Sequence, residues 1–198
     1  LLYVNLRFII LSVCLINKTA MTGLLTHLFQ NRARFHDVLP DNLFKKPHQE
    51  LNLAEACFQF LKWHPRIKIS PKDIIDPEKC SKLVDKIHKD LRLAWSYGSY
   101  LENREKLLAQ SYLKKPKSWI HLGIDINIPI GTPVLTAADG TVRLVDSDYP
   151  EEGGWGNFVI IEHQITGVKF YSIYGHLAST ALVNKDETIR SGEAVGRV

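Results

Sequence analysis

Short apolar runs rich in β-branched residues, separated by glycine-containing turns, dominate the sequence between residues 133 and 174. The runs are residues 133–137, 141–146, 158–163 and 168–174. Asp139-Gly140 and Thr166-Gly167 each lie between two runs, and the first is a strong hairpin dipeptide. Several short strands with tight turns are typical of an antiparallel sheet. The sequence therefore predicts a mainly antiparallel β domain over residues 117–198, with a hairpin at Asp139-Gly140.

Two helix starts are marked upstream of this domain. Asn52 and Glu55 have the spacing of a capping box, for a helix that Pro65 ends. Asp76-Pro77 combines an N-cap residue with a proline at the first helical position. The apolar residues after this second start recur at helical spacing and predict one buried face: Cys80, Leu83, Val84, Ile87 and Leu91.

Further helices are expected over residues 21–32 and 101–112, and residues 114–117 have the composition of a linker. Residues 21–116 are therefore predicted to be a helical region that precedes the β domain. The predicted fold class is α+β.

The first 20 residues contain an apolar run, 8–16, that is too short to cross a bilayer, which needs about 20 residues. With Arg7 before it and Ala20 after it, the run resembles the hydrophobic part of a signal peptide. The alternative is a non-native leader, with the true start at Met21. A signal peptide predicts the cell envelope, periplasmic or secreted, whereas a start at Met21 predicts the cytoplasm. No transmembrane span is expected.

The composition argues against two classes of protein. The net charge is only +4, and no Lys/Arg run stands beside stacking aromatic residues, so no nucleic acid partner is expected. The three cysteines, Cys14, Cys57 and Cys80, are odd in number and scattered, which does not indicate a disulfide framework. We expect buried free thiols.

His121 and Asp125 stand in the stretch His-Leu-Gly-Ile-Asp, and both side chains are good zinc ligands. Four residues of straight strand span about 13 Å, too far for one ion that each ligand holds at about 2 Å. Gly123 and the branched neighbours argue against a helix. The pair can therefore share a metal ion only if the strand end is bent, and Gly123 tolerates such a bend.

Tyr174, Gly175 and His176 form a second candidate stretch. Tyr174 and His176 would share a face of an extended segment, and a histidine just past a strand end can reach into a cleft. The alternative is a partly buried histidine that bonds to backbone. His163 closes the run 158–163 and is interpreted as structural.

Residues 117–198 resemble the lysostaphin-like zinc endopeptidases, which include the LytM-type cell-wall hydrolases. The resemblance rests on segments in the family's order: HLGID, GTPVLTAADGTVRLV, GWGNFVIIEH, YGHL and SGEAVGRV. It implies a barrel-sandwich β domain with a substrate groove, a Zn²⁺ cofactor, and peptide cross-links of peptidoglycan as substrate. The oligomeric state stays open.

The resemblance also implies roles for individual residues. His121 and Asp125 would be metal ligands, and His176 would be a catalytic histidine that assists the metal-activated water. The family's further motif, His-x-His, supplies a third ligand and a second catalytic histidine, and no histidine follows His176 here. We therefore expect a domain cut off at its C-terminus that binds zinc weakly and cleaves nothing.

Several alternatives stay open at this point. Glu102 and Arg104 precede the HLGID stretch and could contact substrate, although a surface ion pair on a helix is slightly favoured. A third metal ligand could be His163 or an acidic residue such as Asp186 or Glu193. The chain could also be a non-catalytic binding or regulatory module of the cell envelope, and the helical region could regulate access to the groove.

Overall fold

The computed structural model describes residues 26–52, 55, 76–105, 120–148, 154–178 and 181–198. Contacts between Cα atoms divide these residues into two compact units. The first unit takes its described residues from Lys46–Pro129, and the second takes them from 26–45 and Ile130–Val198. Among the described residues, no helix has both the length and the apolar character needed to cross a membrane.

Among its described residues, the first unit contains one long helix, α2 (Pro77–Leu91). A short helix that precedes it in the chain, α1 (Asp41–Phe44), belongs to the second unit. Helix α2 begins as predicted, because the Asp76 carboxylate accepts hydrogen bonds from the backbone N–H groups of Glu78 and Lys79. It ends at Arg92, whose φ of 56° is left-handed.

The buried face of helix α2 is the predicted one except at its last position. Its buried members are Cys80, Leu83, Val84 and Ile87. Leu91 is 48% exposed, so its assignment to this face was wrong. Leu91 stands at the final helical residue, where the chain turns away. Cys80 is a buried free thiol as expected, and burial raises its pKa to about 11.

The described part of the first unit also contains three short strands: β1 (His48–Glu50), β2 (Trp95–Tyr97) and β3 (Ile126–Asn127). Strand β2 pairs with β1 in parallel and with β3 in the antiparallel sense. Ser96 lies opposite Asn127, and Tyr97 lies opposite Ile126. This register brings the loop that follows β2 alongside the residues that precede β3.

The second unit is built from antiparallel strands: β4 (Pro133–Leu135), β5 (Gly140–Asp148), β6 (Gly156–Ile165), β7 (Val168–Leu177), β8 (Thr188–Ile189) and β9 (Ala194–Arg197). Its larger sheet has the order β7-β6-β5-β8, and β4 pairs with β9. The buried side chains of Val142, Val159, Ile161 and Val195 belong to its core. The α+β fold class with mainly antiparallel sheets is therefore confirmed.

The two predicted turns of the second unit have different outcomes. Thr166 and Gly167 have φ values of 46° and 86° and connect β6 to β7 as a two-residue hairpin, as expected. The hairpin at Asp139-Gly140 was wrong, because β4 pairs with β9 and β5 pairs with β6 and β8. Gly140 instead starts β5, where the β6 backbone passes very close to it.

The remaining helix predictions are only partly within the described residues. Residues 26–30 are helical, and the backbone N–H of Glu55 donates to the Asn52 carboxamide oxygen at 2.9 Å, which confirms that cap. The helix expected from residue 101 was wrong over 101–104, where the chain forms a turn and a bridge instead. Residues 1–25, 53–54, 56–75 and 106–119 lie outside the described residues, and with them Cys14, Cys57 and the boundary near residue 117.

Candidate metal centre

The stretch from His121 to Asp125 is bent, as the sequence predicted for a shared metal site. The backbone N–H of His121 donates to Glu102 O at 2.9 Å, and Gly98 N–H donates to Asp125 O at 2.8 Å. Gly123 is buried within the bend, and strand β3 begins directly after Asp125. The distance from His121 Nε2 to Asp125 Oδ1 is 3.7 Å. The two predicted ligands therefore lie side by side.

Glu102 lies at the same place. One potential ligand atom from each of Glu102, His121 and Asp125 lies within 4.8 Å of the others, and within the described ranges this is the group of three donors suited to a metal. Glu102 is buried and stands in a loop, so the interpretation of Glu102 and Arg104 as a surface ion pair on a helix was wrong. Its place beside HLGID arises from a pairing between two separate segments of the chain, which local sequence patterns do not report.

The side chain of Arg104 lies among these three donors. Its Nη2 is 3.0 Å from Glu102 Oε2 and 3.0 Å from His121 Nδ1, and it also contacts Asp125 Oδ2. Its Nε is 3.1 Å from Glu102 Oε2. The side chains of Arg104, Glu102 and Asp125 are only 18%, 1% and 4% exposed. This cluster is therefore a buried array of charged and metal-binding groups.

Burial lowers the pKa of His121 below its ordinary value of 6.5, and the Arg104 charge lowers it further while Asp125 opposes the shift. A neutral ring that accepts the Arg104 N–H at Nδ1 carries its own hydrogen on Nε2. Nε2 is buried and has no hydrogen-bond partner within the described part of the chain.

A neutral imidazole next to two carboxylates is a donor set that suits a metal ion. The lone pair of His121 Nδ1 faces the same point as the two carboxylates, and this convergence is the observation that supports the fit. Glu102, His121 and Asp125 are therefore the residues that could hold a metal.

His176 belongs to the second unit and lies within strand β7, not just past its end as predicted. The pairing of β6 with β7 shifts between Asn157 and Val159, so Gly175 and His176 form a β-bulge. This bulge breaks the alternation on which the common face of Tyr174 and His176 was predicted. Tyr174 is fully buried, and its hydroxyl accepts the Ala137 N–H at 2.9 Å.

The backbone of His176 has a φ of 55°, which is left-handed and uncommon for a residue with a side chain. Its N–H donates to Trp155 O at 2.7 Å, and the residue is half-buried. A bulge with such a backbone turns a side chain out of the strand's regular alternation. His176 thus combines a β-bulge with a left-handed backbone within the second unit.

The other residues considered as third ligands also lie in the second unit and have other contacts. His163 is buried, its Nδ1 is 2.9 Å from Asp139 O, and its Nε2 is 2.6 Å from Ser172 Oγ. These contacts support the structural interpretation of His163. Asp186 and Glu193 are exposed, and neither belongs to the three-donor group.

Comparison with known families gives a match over the second part of the sequence. Residues 119–198 match the model of Peptidase family M23. The match confirms the resemblance to lysostaphin-like metallopeptidases that the ordered motifs indicated. The M23 segment contains His121, Asp125 and His176, whereas Glu102 and Arg104 precede it.

Curated relatives of the M23 segment share about a third of its residues. An "Uncharacterized metalloprotease" of Haemophilus influenzae is 37% identical over 75 residues, which are 38% of this chain and 14% of that protein. The "Peptidoglycan DD-endopeptidase ShyA" of Vibrio cholerae is 38% identical over 76 residues, which are 38% of this chain and 16% of that protein. The chain thus spans only a small part of the length of these relatives.

A solved structure of a zinc-containing peptidase from Vibrio cholerae is also similar. It is 27% identical, with a TM-score of 0.32, over 42% of this chain and 24% of that chain.

Proposed function

We propose that the protein is a zinc-dependent metalloendopeptidase that hydrolyses peptide cross-links of peptidoglycan in the cell envelope. The observation that carries this proposal is the bend that sets His121 beside Asp125, at 3.7 Å, within the M23 segment. The similarity to the Vibrio cholerae peptidoglycan DD-endopeptidase supports the substrate class and the periplasmic or secreted location.

The chain's own residues would have separate roles in this reaction. His121 and Asp125 would hold the zinc ion, which when bound supplies Lewis-acid chemistry that polarises a carbonyl and activates water. His176 would accept and return a proton at its imidazole ring. The left-handed backbone at its bulge would set the direction of this side chain. Because no histidine follows His176, we expect these 198 residues to bind zinc weakly and to cleave nothing.

Zinc content and peptidoglycan binding of the purified 198-residue chain test this proposal. After dialysis against Zn²⁺, we expect bound zinc in the original chain and its loss in His121→Ala and Asp125→Ala. His36→Ala removes an exposed histidine of the second unit and serves as the matched control. Zinc binding that survives both ligand substitutions would refute the proposal.

The same preparations are then incubated with purified peptidoglycan. We expect the chain to sediment with the polymer only when zinc is present. We expect liquid chromatography to detect no release of soluble fragments. Release of fragments that is lost in His176→Ala would refute the expected inactivity and would support the proposed peptidase function.

The second candidate is a non-catalytic binding module of the envelope, and the position of Arg104 favours it. A guanidinium that stays paired with Glu102, His121 and Asp125 would occupy the place of a metal. This candidate predicts peptidoglycan binding that neither chelation nor His121→Ala reduces. Reading the gene past the codon for Val198 separates the two further, since an encoded His-x-His supports the peptidase and a stop codon supports the module.

A further inference from the structure

Three acceptor atoms from different residues converge on a single nitrogen, Arg104 Nη2. Glu102 Oε2 and His121 Nδ1 are each 3.0 Å from it, and Asp125 Oδ2 is in contact with it. This nitrogen carries only two hydrogens, so it cannot donate a full hydrogen bond to each of three acceptors. Three atoms with lone pairs therefore surround one point. A metal ion at that point could bind all three, whereas the guanidinium nitrogen cannot.

The charges at this point lead to the same conclusion. The ionised carboxylates of Glu102 and Asp125 carry two negative charges, while the guanidinium supplies one positive charge. A divalent ion would balance both carboxylates, and each carboxylate is almost fully buried. Buried charges that are incompletely paired are costly, so the site favours a cation of higher charge than Arg104.

The backbone directs Glu102 into this site by an unusual turn. Leu101 precedes it with a φ of 63°, although its side chain is 48% exposed and apolar. A left-handed backbone is strained for a non-glycine residue and is retained where the surrounding structure requires it. Hydrogen bonds to His121 hold both sides of the turn, from Leu101 N–H to His121 O at 3.0 Å and from His121 N–H to Glu102 O at 2.9 Å. The fold therefore fixes Glu102 relative to His121.

We infer that Glu102 is a third ligand of the metal held by His121 and Asp125, and that Arg104 is the cation that the metal displaces. This inference rests on the proposed metal site and adds to it a residue outside the M23 segment. Arg104 stabilises the metal-free cluster by pairing with its carboxylates, and it lowers the apparent metal affinity because it must leave. A supporting residue that stayed in place would have the opposite effect, since its removal would weaken metal binding.

Competition between the purified chain and a chromophoric chelator for Zn²⁺ measures the affinity. We expect Arg104→Met to bind zinc about tenfold more tightly than the original chain, a factor that corresponds to about 1.4 kcal/mol. Glu102→Gln, which keeps the size of the side chain and removes its charge, should bind about tenfold more weakly. Arg143→Met removes an arginine from another Arg–Glu pair, in the second unit, and should leave the affinity unchanged.

Thermal unfolding with chelator present gives an independent readout. Without metal, Arg104→Met should unfold at a lower temperature than the original chain. Excess zinc should raise the Tm of Arg104→Met by more than it raises the Tm of the original chain. If Arg104→Met does not fold, Arg104→Lys replaces it. Lysine lacks the planar fork of arginine, so this variant should still bind zinc more tightly than the original chain. Glu102→Gln tests the third ligand separately.

Two outcomes overturn the inference: weaker or unchanged zinc binding in the Arg104 variants, or unchanged binding in Glu102→Gln. Because His121→Ala and Asp125→Ala are measured in parallel, the proposed function fails separately if zinc binding survives those substitutions.

Discussion

Gly140 is the position where the structure most sharply limits side-chain size. A Cβ atom added there would lie 2.6 Å from Glu162 O, 2.6 Å from Ile161 Cγ2 and 2.9 Å from His163 Nδ1. Gly140 pairs with His163 on one side and with Ile189 on the other, so β5 cannot move away without breaking its ladders. Gly140→Ala must therefore distort the sheet or the buried side chains.

The expected cost follows from these overlaps. Inserting a methyl group into well-packed structure costs about 1–3 kcal/mol, and the upper half of that range applies where backbone atoms obstruct it. Alanine also reduces the entropy of the unfolded chain, which offsets about 0.4–1 kcal/mol. We expect a net loss of about 2 kcal/mol and a decrease in Tm of about 4–8 °C.

Urea unfolding followed by circular dichroism measures this loss. Gly131→Ala is the matched control, because Gly131 has a φ of 82° and no atom within 4 Å of an added Cβ. The control isolates backbone strain and should lose about 1 kcal/mol. The reasoning is refuted if Gly140→Ala is as stable as the original chain or loses no more free energy than Gly131→Ala.

Two further predictions concern His163 and the start of helix α2. Burial lowers the pKa of His163 below 6.5. Below about pH 6.5 the unfolded chain therefore binds the proton more readily than the folded chain does. The free energy of unfolding then falls with decreasing pH, by at most about 1.4 kcal/mol per pH unit. Unfolding measured from pH 7.5 to 5.5 should depend less on pH in His163→Gln, and identical profiles would contradict the assignment. Asp76 caps helix α2 through Glu78 N–H at 3.0 Å and Lys79 N–H at 3.1 Å, so Asp76→Ala should lose about 1 kcal/mol. Asp76→Asn keeps an acceptor and should lose less in the same urea assay, whereas equal losses would argue against the cap.

Several features of this protein could be predicted from the sequence because they depend on neighbouring residues. The cap at Asp76 and the apolar spacing after it predicted helix α2 and most of its buried face. The β-branched runs predicted strands β5, β6 and β7, and Thr166-Gly167 predicted their second hairpin. The separation of His121 and Asp125 along a straight strand already required the bend that the structure contains.

The tertiary structure alone decided which elements and side chains meet. Strand β4 pairs with β9, which is distant in sequence, and Gly140 belongs to the ladders of β5 with β6 and β8 instead of to a turn. The sequence favoured a surface ion pair for Glu102 and Arg104, and only the loop beside HLGID buries them against His121. Local patterns report propensity and periodicity, whereas burial and charge pairing arise from contacts between segments that the sequence keeps apart.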